Sequence, residues 1–187
     1  MTVARSEESW VQAVLTFWFA EMSPADWFTK SQAIDNLISA RFREIFEQVK
    51  ARTIEELASS PERALAAVIV LDQFPRNMFR DTPAAFATDA RALALSAAAI
   101  GRGHDANLDQ AGRKFLYMPY QHSEDRGEQA RSIELFARLE EPETLDFAIR
   151  HKEIVDRFGR FPHRNAILGR ISTTEELAFL EEPGSSF

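Results

Sequence analysis

The chain has 187 residues, of which 45% are hydrophobic, and it includes 15 Phe and 3 Trp. A chain of this length and apolar content can bury a sizeable core, which excludes a disordered segment. The absence of Cys excludes disulfides, thiolate metal ligands and a cysteine nucleophile. A formal net charge of −7 argues against general nucleic-acid binding, which depends on neutralising phosphates.

The first half of the chain shows the spacing of amphipathic helices. Apolar residues recur every three or four positions over residues 11–18 and again over residues 34–49. TIEE at residues 53–56 matches a capping box, and SPER at residues 60–63 places a proline at the first position of a helix. The helix that follows, predicted over residues 61–79, is apolar on all sides, which indicates that it lies in the interior.

Two charged residues interrupt this apolar helix. Asp72 and Arg76 are four positions apart, so we expect them to be buried and paired. Pro75 removes one helical hydrogen bond and crowds the carbonyl of Leu71, which bends the helix and turns Arg76 and Asn77 out of line. Because desolvation offsets the attraction within a buried pair, the pair indicates either a fixed packing register or a ligand.

The second half of the chain continues the helical pattern. Gly101 and Gly159 follow the helices predicted over residues 89–100 and 142–158, and glycine commonly ends a helix at such a position. His151 lies in the middle of an apolar stripe on the second of these helices. We interpret it as a core residue that is hydrogen-bonded to a neighbour.

The stretch YMPYQHSEDRGEQ, residues 117–129, places polar side chains of both signs between two helices. Pro119 is expected to end the first helix and Asp125 to cap the second. Capping explains Asp125 but requires neither His122 nor Glu124. We therefore include these two residues in the candidate site.

The stretch GRFPHRN, residues 159–165, repeats part of the earlier DQFPRN. We expect Pro162 to open a helix whose first turn holds His163, Arg164 and Asn165. Free N–H groups and the helix dipole attract anions at such a position, so basic residues there call for an acidic partner. The candidates for that partner are Asp72, Glu124 and a bound anion.

Residues 147–172 carry six basic side chains against two acidic ones, although the whole chain is acidic. A local basic segment of this kind favours a small anionic partner over a nucleic acid. A solvated helix face balanced by acidic neighbours is the alternative. The basic residues are Arg150, Lys152, Arg157, Arg160, Arg164 and Arg170.

Motifs of well-known catalytic and metal sites are absent from the sequence. It contains no HExxH and no Gly-rich phosphate loop, and Ser123 beside His122 lacks the surroundings of a catalytic triad. We therefore predict no metal and no cofactor. Acid–base chemistry by a carboxylate and a histidine stays open. The candidates are Asp72 or Glu124 with His122 or His163.

These elements predict an all-α protein with a single domain over residues 1–187. About ten helices in antiparallel hairpins would form a right-handed, tetratricopeptide-like array. The N-terminus has no apolar signal segment, and the longest apolar run, residues 64–71, is too short to span a bilayer. The sequence therefore favours a cytoplasmic protein without a membrane partner.

Three long stretches also resemble an uncharacterised bacterial family, a domain of unknown function with an all-helical, tetratricopeptide-like fold. They are VLDQFPRNMFRDTPAAFATDARALALSA from residue 70, FLYMPYQHSEDRGEQARSIELF from residue 115 and HKEIVDRFGRFPHRNAILGRISTTEELAFLEEPGSSF from residue 151. TFWF and WFTK near the N-terminus match it too. The resemblance implies helical hairpins and a bacterial origin, but no reaction, cofactor or catalytic residue. Its motifs LDQFPRN, HSED and GRFPHRN coincide with the candidate residues above.

Three functions are open at this point. The first is a binding module with a polar pocket for a small anionic ligand or an acidic peptide. The second is a hydrolase or transferase that uses a His/carboxylate pair in the same pocket. The third is a protein-interaction scaffold in which the polar cluster only fixes the helix packing. The predicted site residues are Asp72, Arg76, Asn77, His122, Glu124, Arg160, His163, Arg164 and Asn165.

Two further expectations concern the tertiary structure. The polar groups of LDQFPRN, HSED and GRFPHRN are expected to converge in space, because the helices that carry them would stack as hairpins. The ring of Phe187 is expected to dock on the core, and the nearby Arg-rich segment is expected to receive its carboxylate.

Overall fold

The computed structural model describes the backbone of residues 2–185 and the side chains of residues 9–185. Within this part of the chain every regular element is helical, which confirms the predicted all-α class. The α-helices are α1 (Thr2–Thr16), α2 (Gln32–Ala51), α3 (Ile54–Leu57), α4 (Pro61–Val68), α5 (Phe74–Met78), α6 (Asp89–Gly101), α7 (Gln110–Gln121), α8 (Arg126–Ala137), α9 (Pro142–Phe158) and α10 (Thr174–Leu180). Single π-helical turns cover Phe17–Glu21 and Ile69–Gln73.

The chain divides into two compact units. Unit 1 consists of the residues up to Arg80 together with Ala84–Pro119, and unit 2 consists of Asp81–Pro83 together with the residues from Tyr120 onward. The single-domain organisation and the tetratricopeptide-like array stay predictions. Over residues 2–185, no helix combines the length and the apolar character that crossing a membrane requires.

The core of unit 1 is rich in aromatic side chains. The ring of Phe42 on α2 lies 4.8 Å from the ring of Phe74, and the ring of Trp18 lies 5.3 Å from that of Phe115, edge to face. Aromatic pairs of this kind contribute roughly 0.5–1.5 kcal/mol beyond the burial of their area. The spacing predicted for residues 34–49 is confirmed by the buried residues of α2, which include Ile38, Phe42, Phe46 and Val49.

Residues 61–78 form one continuous helical run that contains a π-helical turn. The run begins after Ser60, whose hydroxyl accepts a hydrogen bond from the Arg63 N–H at 3.3 Å, as SPER predicted. In the π-helical turn the N–H of Phe74 donates to the carbonyl of Ile69, five residues back. Such turns widen a helix by one residue and change the direction of the side chains that follow.

Pro75, which is predicted to interrupt this helix, comes just after the π-helical turn. The carbonyl of Leu71, to which Pro75 offers no N–H, accepts a hydrogen bond from the hydroxyl of Thr88 at 2.6 Å. Thr88 is buried, so this bond satisfies a carbonyl that water cannot reach. A side chain thus replaces the backbone donor that the proline removes.

In unit 2, α8 packs against α9. The carboxylate of Asp125 accepts two backbone N–H bonds at 2.7 and 3.0 Å, which confirms it as the cap of α8. α9 ends at Gly159, which has a left-handed backbone with φ of 70°, as its position predicted.

The end of α7 differs from the prediction. Pro119 lies inside the helix, which continues to Gln121. A proline in the last turn removes only one hydrogen bond, and the final carbonyls of a helix lack helical partners in any case.

The described chain closes with a short segment after α10. The hydroxyl of Ser185 donates to the carbonyl of Leu180 at 3.1 Å, which folds this segment back onto the end of the helix. Phe187 lies outside the described residues, so the docking of its ring stays a prediction.

Candidate functional site

The predicted Asp72–Arg76 pair is present in unit 1. Asp72 is fully buried, and its Oδ1 lies 3.6 Å from Nη2 of Arg76. Arg76 also donates to the carboxylate of Asp89 at 2.8 and 3.2 Å. Within unit 1, two carboxyl groups therefore face one guanidinium.

The charge of Arg76 is held in place by these carboxylates. Burial opposes the charge, but the attraction of Asp72 and Asp89 outweighs burial and raises the pKa of Arg76 above its ordinary value. The Nη1 of Arg76 also donates to the carbonyl of Asp72 at 2.8 Å, within the widened part of the helix. These contacts describe a packing device that fixes α5 against the start of α6.

Asn77 belongs to a neighbouring group in unit 1. Its Nδ2 donates to Asp35 on α2 at 2.8 Å, and Arg80 donates twice to the same carboxylate, at 2.7 Å each. Burial opposes the charge of Asp35, but the bonds from Arg80 and Asn77 outweigh it and lower the pKa of the carboxyl. Asn77 therefore ties α5 to α2.

Glu124 connects the HSED turn to the GRFPHRN segment in unit 2. Its carboxylate accepts the N–H of Phe161 at 2.8 Å and two bonds from Arg170 at 2.7 and 2.9 Å. Burial opposes its charge, but Arg170, the Phe161 N–H and the charge of Arg164 together lower the pKa of Glu124. Two of the three motifs thus meet within unit 2, while convergence of all three stays a prediction.

The prediction that a helix begins at Pro162 is wrong. Only a single 3-10 turn forms, Pro162–Arg164. The N–H of Arg164 donates to the carbonyl of Phe161 at 3.1 Å, and the N–H of Asn165 donates to that of Pro162 at 2.9 Å. The chain then turns back, and the N–H of Arg170 donates to the carbonyl of Asn165 at 2.8 Å. No helix N-terminus attracts anions here, so any such attraction comes from side chains.

Three nitrogen-bearing side chains lie against the buried ring of Phe161 and a fourth lies beside one of them, and we call these four the histidine–arginine cluster. The guanidinium carbon of Arg164 lies 4.7 Å from the centre of this ring. The ring centres of His151 and His163 lie 5.5 and 5.6 Å from it, respectively. His122 completes the cluster, with its ring centre 6.4 Å from that of His151.

His151 is the buried, neutral member of the cluster. Its side chain is 4% exposed, and its Nδ1 lies 2.7 Å from the carbonyl of Phe147, so Nδ1 carries the proton and donates. Burial lowers the pKa of His151 to about 3, and the charge of Arg164 and the protonated forms of His122 and His163 act in the same direction. The interpretation of His151 as a hydrogen-bonded core residue is confirmed.

Arg160 and Asn165 hold the segment around the cluster. Arg160 donates to the carboxylate of Glu176 on α10 at 2.6 and 2.7 Å, and this hydrogen bonding keeps the pKa of Glu176 well below its ordinary value. The Nδ2 of Asn165 donates to the hydroxyl of Ser172 at 2.9 Å. Asn165 is fully buried, and its Oδ1 has no hydrogen-bond partner within residues 9–185.

Two charged partners of the predicted residues were missed from the sequence. Asp89 and Arg170 each make bidentate contacts that only tertiary structure creates. Arg170 belonged to the basic segment and Asp89 to the first turn of α6, where an acidic residue also suits the helix dipole. Among the side chains that the structure describes, no group of three or more His, Asp and Glu is arranged to hold a metal ion.

A sequence profile described as bacterial protein of unknown function (DUF924) matches residues 14–184. The chain belongs to this family. A solved structure of a protein of unknown function from Agrobacterium tumefaciens is similar to it at 40% identity with a TM-score of 0.88. The similarity covers 93% of this chain and 98% of that chain. No curated protein matches the sequence.

All three motifs discussed above lie within the residues that the DUF924 profile matches. The comparisons confirm the bacterial family and the all-helical fold that the motifs suggested.

Proposed function

We propose that this protein is a binding module for a small anion of the carboxylate or phosphate class, and that His122, His163 and Arg164 contact the ligand. The observation that carries the proposal is the excess of positive groups around one carboxylate in unit 2. Arg164 and Arg170 both act on Glu124, and Arg164 also acts on His151 together with His122 and His163. A cytoplasmic location is part of the same proposal.

The charge of the cluster is visible in its effect on neighbouring groups. The charge of Arg164 contributes to lowering the pKa of both Glu124 and His151, although the two groups are of different type. Both shifts have the sign that a positive potential produces. An anion that entered this potential would be stabilised by it, and partial burial would strengthen the attraction relative to water.

Neighbouring residues hold the side chains of the cluster in the positions that a ligand would need. Arg164 is 7% exposed and lies on the ring of Phe161, so its guanidinium is held in one direction. His122 and His163 are only partly buried, so both residues keep some contact with solvent. Arg170 is committed to Glu124 by two short bonds, so it contributes charge to the site and is not the ligand's direct partner.

An acidic peptide would use the same carboxylate chemistry, and a binding titration with a short peptide distinguishes it from a small anion.

The hydrolase or transferase alternative is less well supported by the geometry. Asp72, one of the two candidate carboxylates for its His/carboxylate pair, is fully buried and faces Arg76. Glu124 is engaged by Arg170 and the Phe161 N–H, so it is not positioned to orient a catalytic histidine.

Calorimetric titration with sodium sulfate and with sodium phosphate, against sodium chloride at matched ionic strength, tests the proposal. We expect saturable binding by the wild-type protein and at least tenfold weaker binding by Arg164→Met, because charge-assisted hydrogen bonds are lost. Arg131→Met is the matched control, since Arg131 also lies in unit 2 but pairs with the exposed Glu134 on its own helix. It should bind like wild type. Absence of saturable binding, or equal affinity in Arg164→Met, would contradict the proposal.

A further inference from the structure

We infer that anion binding at the histidine–arginine cluster is coupled to the uptake of a proton by His122 or His163. The inference rests on the proposed anion site and adds a regulation to it: the affinity for an anion rises as the pH falls. The juxtaposition of His163 with a fixed guanidinium on one phenyl ring, and of His122 with the adjoining His151, carries it.

The geometry places like charges close together. The charged and titratable groups of this part of unit 2 include Arg164, Arg170, the carboxylate of Glu124 and His151 from α9. His122, His163 and Arg164 act on His151, and Arg164 and Arg170 act on Glu124. His163 and Arg164 lie on the same ring of Phe161, at 5.6 and 4.7 Å from its centre. Like charges disfavour a protonated imidazole, and an anion bound between them favours it.

His151 is excluded as the group that takes up the proton. Its Nδ1–H donates to the carbonyl of Phe147, and the residue is buried. Protonating it would bury a second charge beside Arg164, whereas His122 and His163 keep contact with solvent. The coupled proton therefore belongs to His122 or His163.

The coupling between proton binding and anion binding determines how strongly the dissociation constant depends on pH. If an anion favours the protonated imidazole, protonation must favour the anion by the same factor. One fully coupled proton makes the dissociation constant fall about tenfold for each unit by which the pH is lowered. Half of a coupled proton gives a fall of about threefold by the same relation.

Sulfate is the appropriate probe, because it remains a dianion from about pH 5.5 to 8, where histidine titrates and phosphate also changes its charge. We expect calorimetry in two buffers of different ionisation enthalpy to show net proton uptake on sulfate binding. His122→Gln or His163→Gln should reduce the uptake, and the double variant should abolish it. His104→Gln is the matched control, since His104 lies in unit 1, where its Nε2 contacts the carbonyl of Ala58 at 3.0 Å.

The possible results separate the inference from the proposed function. Sulfate binding without proton uptake would overturn the inference and leave the anion site intact. Absence of sulfate binding at every pH would overturn both. If a variant fails to fold, the imidazole NMR signals of the wild-type protein decide the question: sulfate should shift those of His122 or His163 toward the protonated form, and unchanged signals would overturn the inference.

Discussion

The two Phe-Pro stretches, DQFPRN at residues 72–77 and GRFPHRN at residues 159–165, share residue types but differ in structure. In unit 1 the helical run continues past the proline. A π-helical turn and the hydroxyl of Thr88 compensate for the backbone hydrogen bond that the proline removes. In unit 2 the left-handed Gly159 ends a helix first, and the proline opens only one 3-10 turn. The comparison teaches that the element in which a proline lies decides its effect.

The arginines of the two stretches differ even more than the prolines. Arg76 faces two carboxylates, Asp72 and Asp89, so its charge is more than balanced within unit 1. Arg164 lies on an aromatic ring among histidines, and its charge acts on Glu124 together with that of Arg170. The first arginine has the surroundings of a packing device, and the second is a binding residue only under the proposed function.

The largest expected effect concerns the balanced arginine. Arg76→Met should lower the free energy of unfolding by roughly 3–5 kcal/mol, because it leaves two acidic groups without their cation, one of them fully buried. Urea denaturation measures the loss. Arg131→Met removes a charge from an exposed pair and should cost at most about 1 kcal/mol. Equal losses in the two variants would show that Arg76 is not a packing device.

The next largest effect is the dependence of the free energy of unfolding on pH that His151 causes. Its pKa is about 3 in the folded protein, against about 6.5 when it is unfolded, so the unfolded chain binds the proton first as the pH falls. Stability is therefore fully present above about pH 6.5 and is lost toward about pH 3, by roughly 1.4 kcal/mol for each pH unit. The loss between pH 6.5 and pH 5 is then about 2 kcal/mol.

Denaturation as a function of pH tests this contribution. His151→Gln cannot titrate, so its stability should fall less steeply over the same interval, while His104→Gln should retain the wild-type slope. A slope that is the same in all three proteins would refute the assignment to His151.

A smaller effect tests the way in which unit 1 accommodates its proline. Thr88→Val keeps the shape of the side chain but removes the hydroxyl that bonds to the carbonyl of Leu71. A buried carbonyl left without a donor costs roughly 1–3 kcal/mol. Thr88→Ser retains the hydroxyl and should recover most of the stability measured by thermal unfolding. If the valine and serine variants are equally stable, the hydroxyl has no such role.

Local patterns in the sequence were sufficient for the helices and their ends. The spacing over residues 34–49, the start at Ser60 and the end at Gly159 each depend on neighbours within one or two turns. The Asp72–Arg76 pair was predictable for the same reason, since four residues place two side chains on one face.

The parts that could not be predicted depend on distant segments. Arg170 reaches Glu124 across 46 positions of the chain, and no periodicity encodes such a contact. The predicted helix at Pro162 failed because Asn165 and Arg170 close a loop through their backbones, which competes with helix propagation. Nothing in the sequence around Ile69 distinguishes a π-helical turn from a regular one.

The most direct test of the central claim compares the two arginines in one experiment. The free energy of unfolding is measured for wild type, Arg164→Met, Arg76→Met and Arg131→Met, each without sulfate and at a hundredfold excess over the dissociation constant. If Arg164 binds the anion, wild type gains about 2.7 kcal/mol with sulfate. Arg164→Met loses that gain, and Arg131→Met keeps it. A loss of roughly 3–5 kcal/mol in Arg164→Met without sulfate, and no sulfate response in wild type, would make both arginines packing devices.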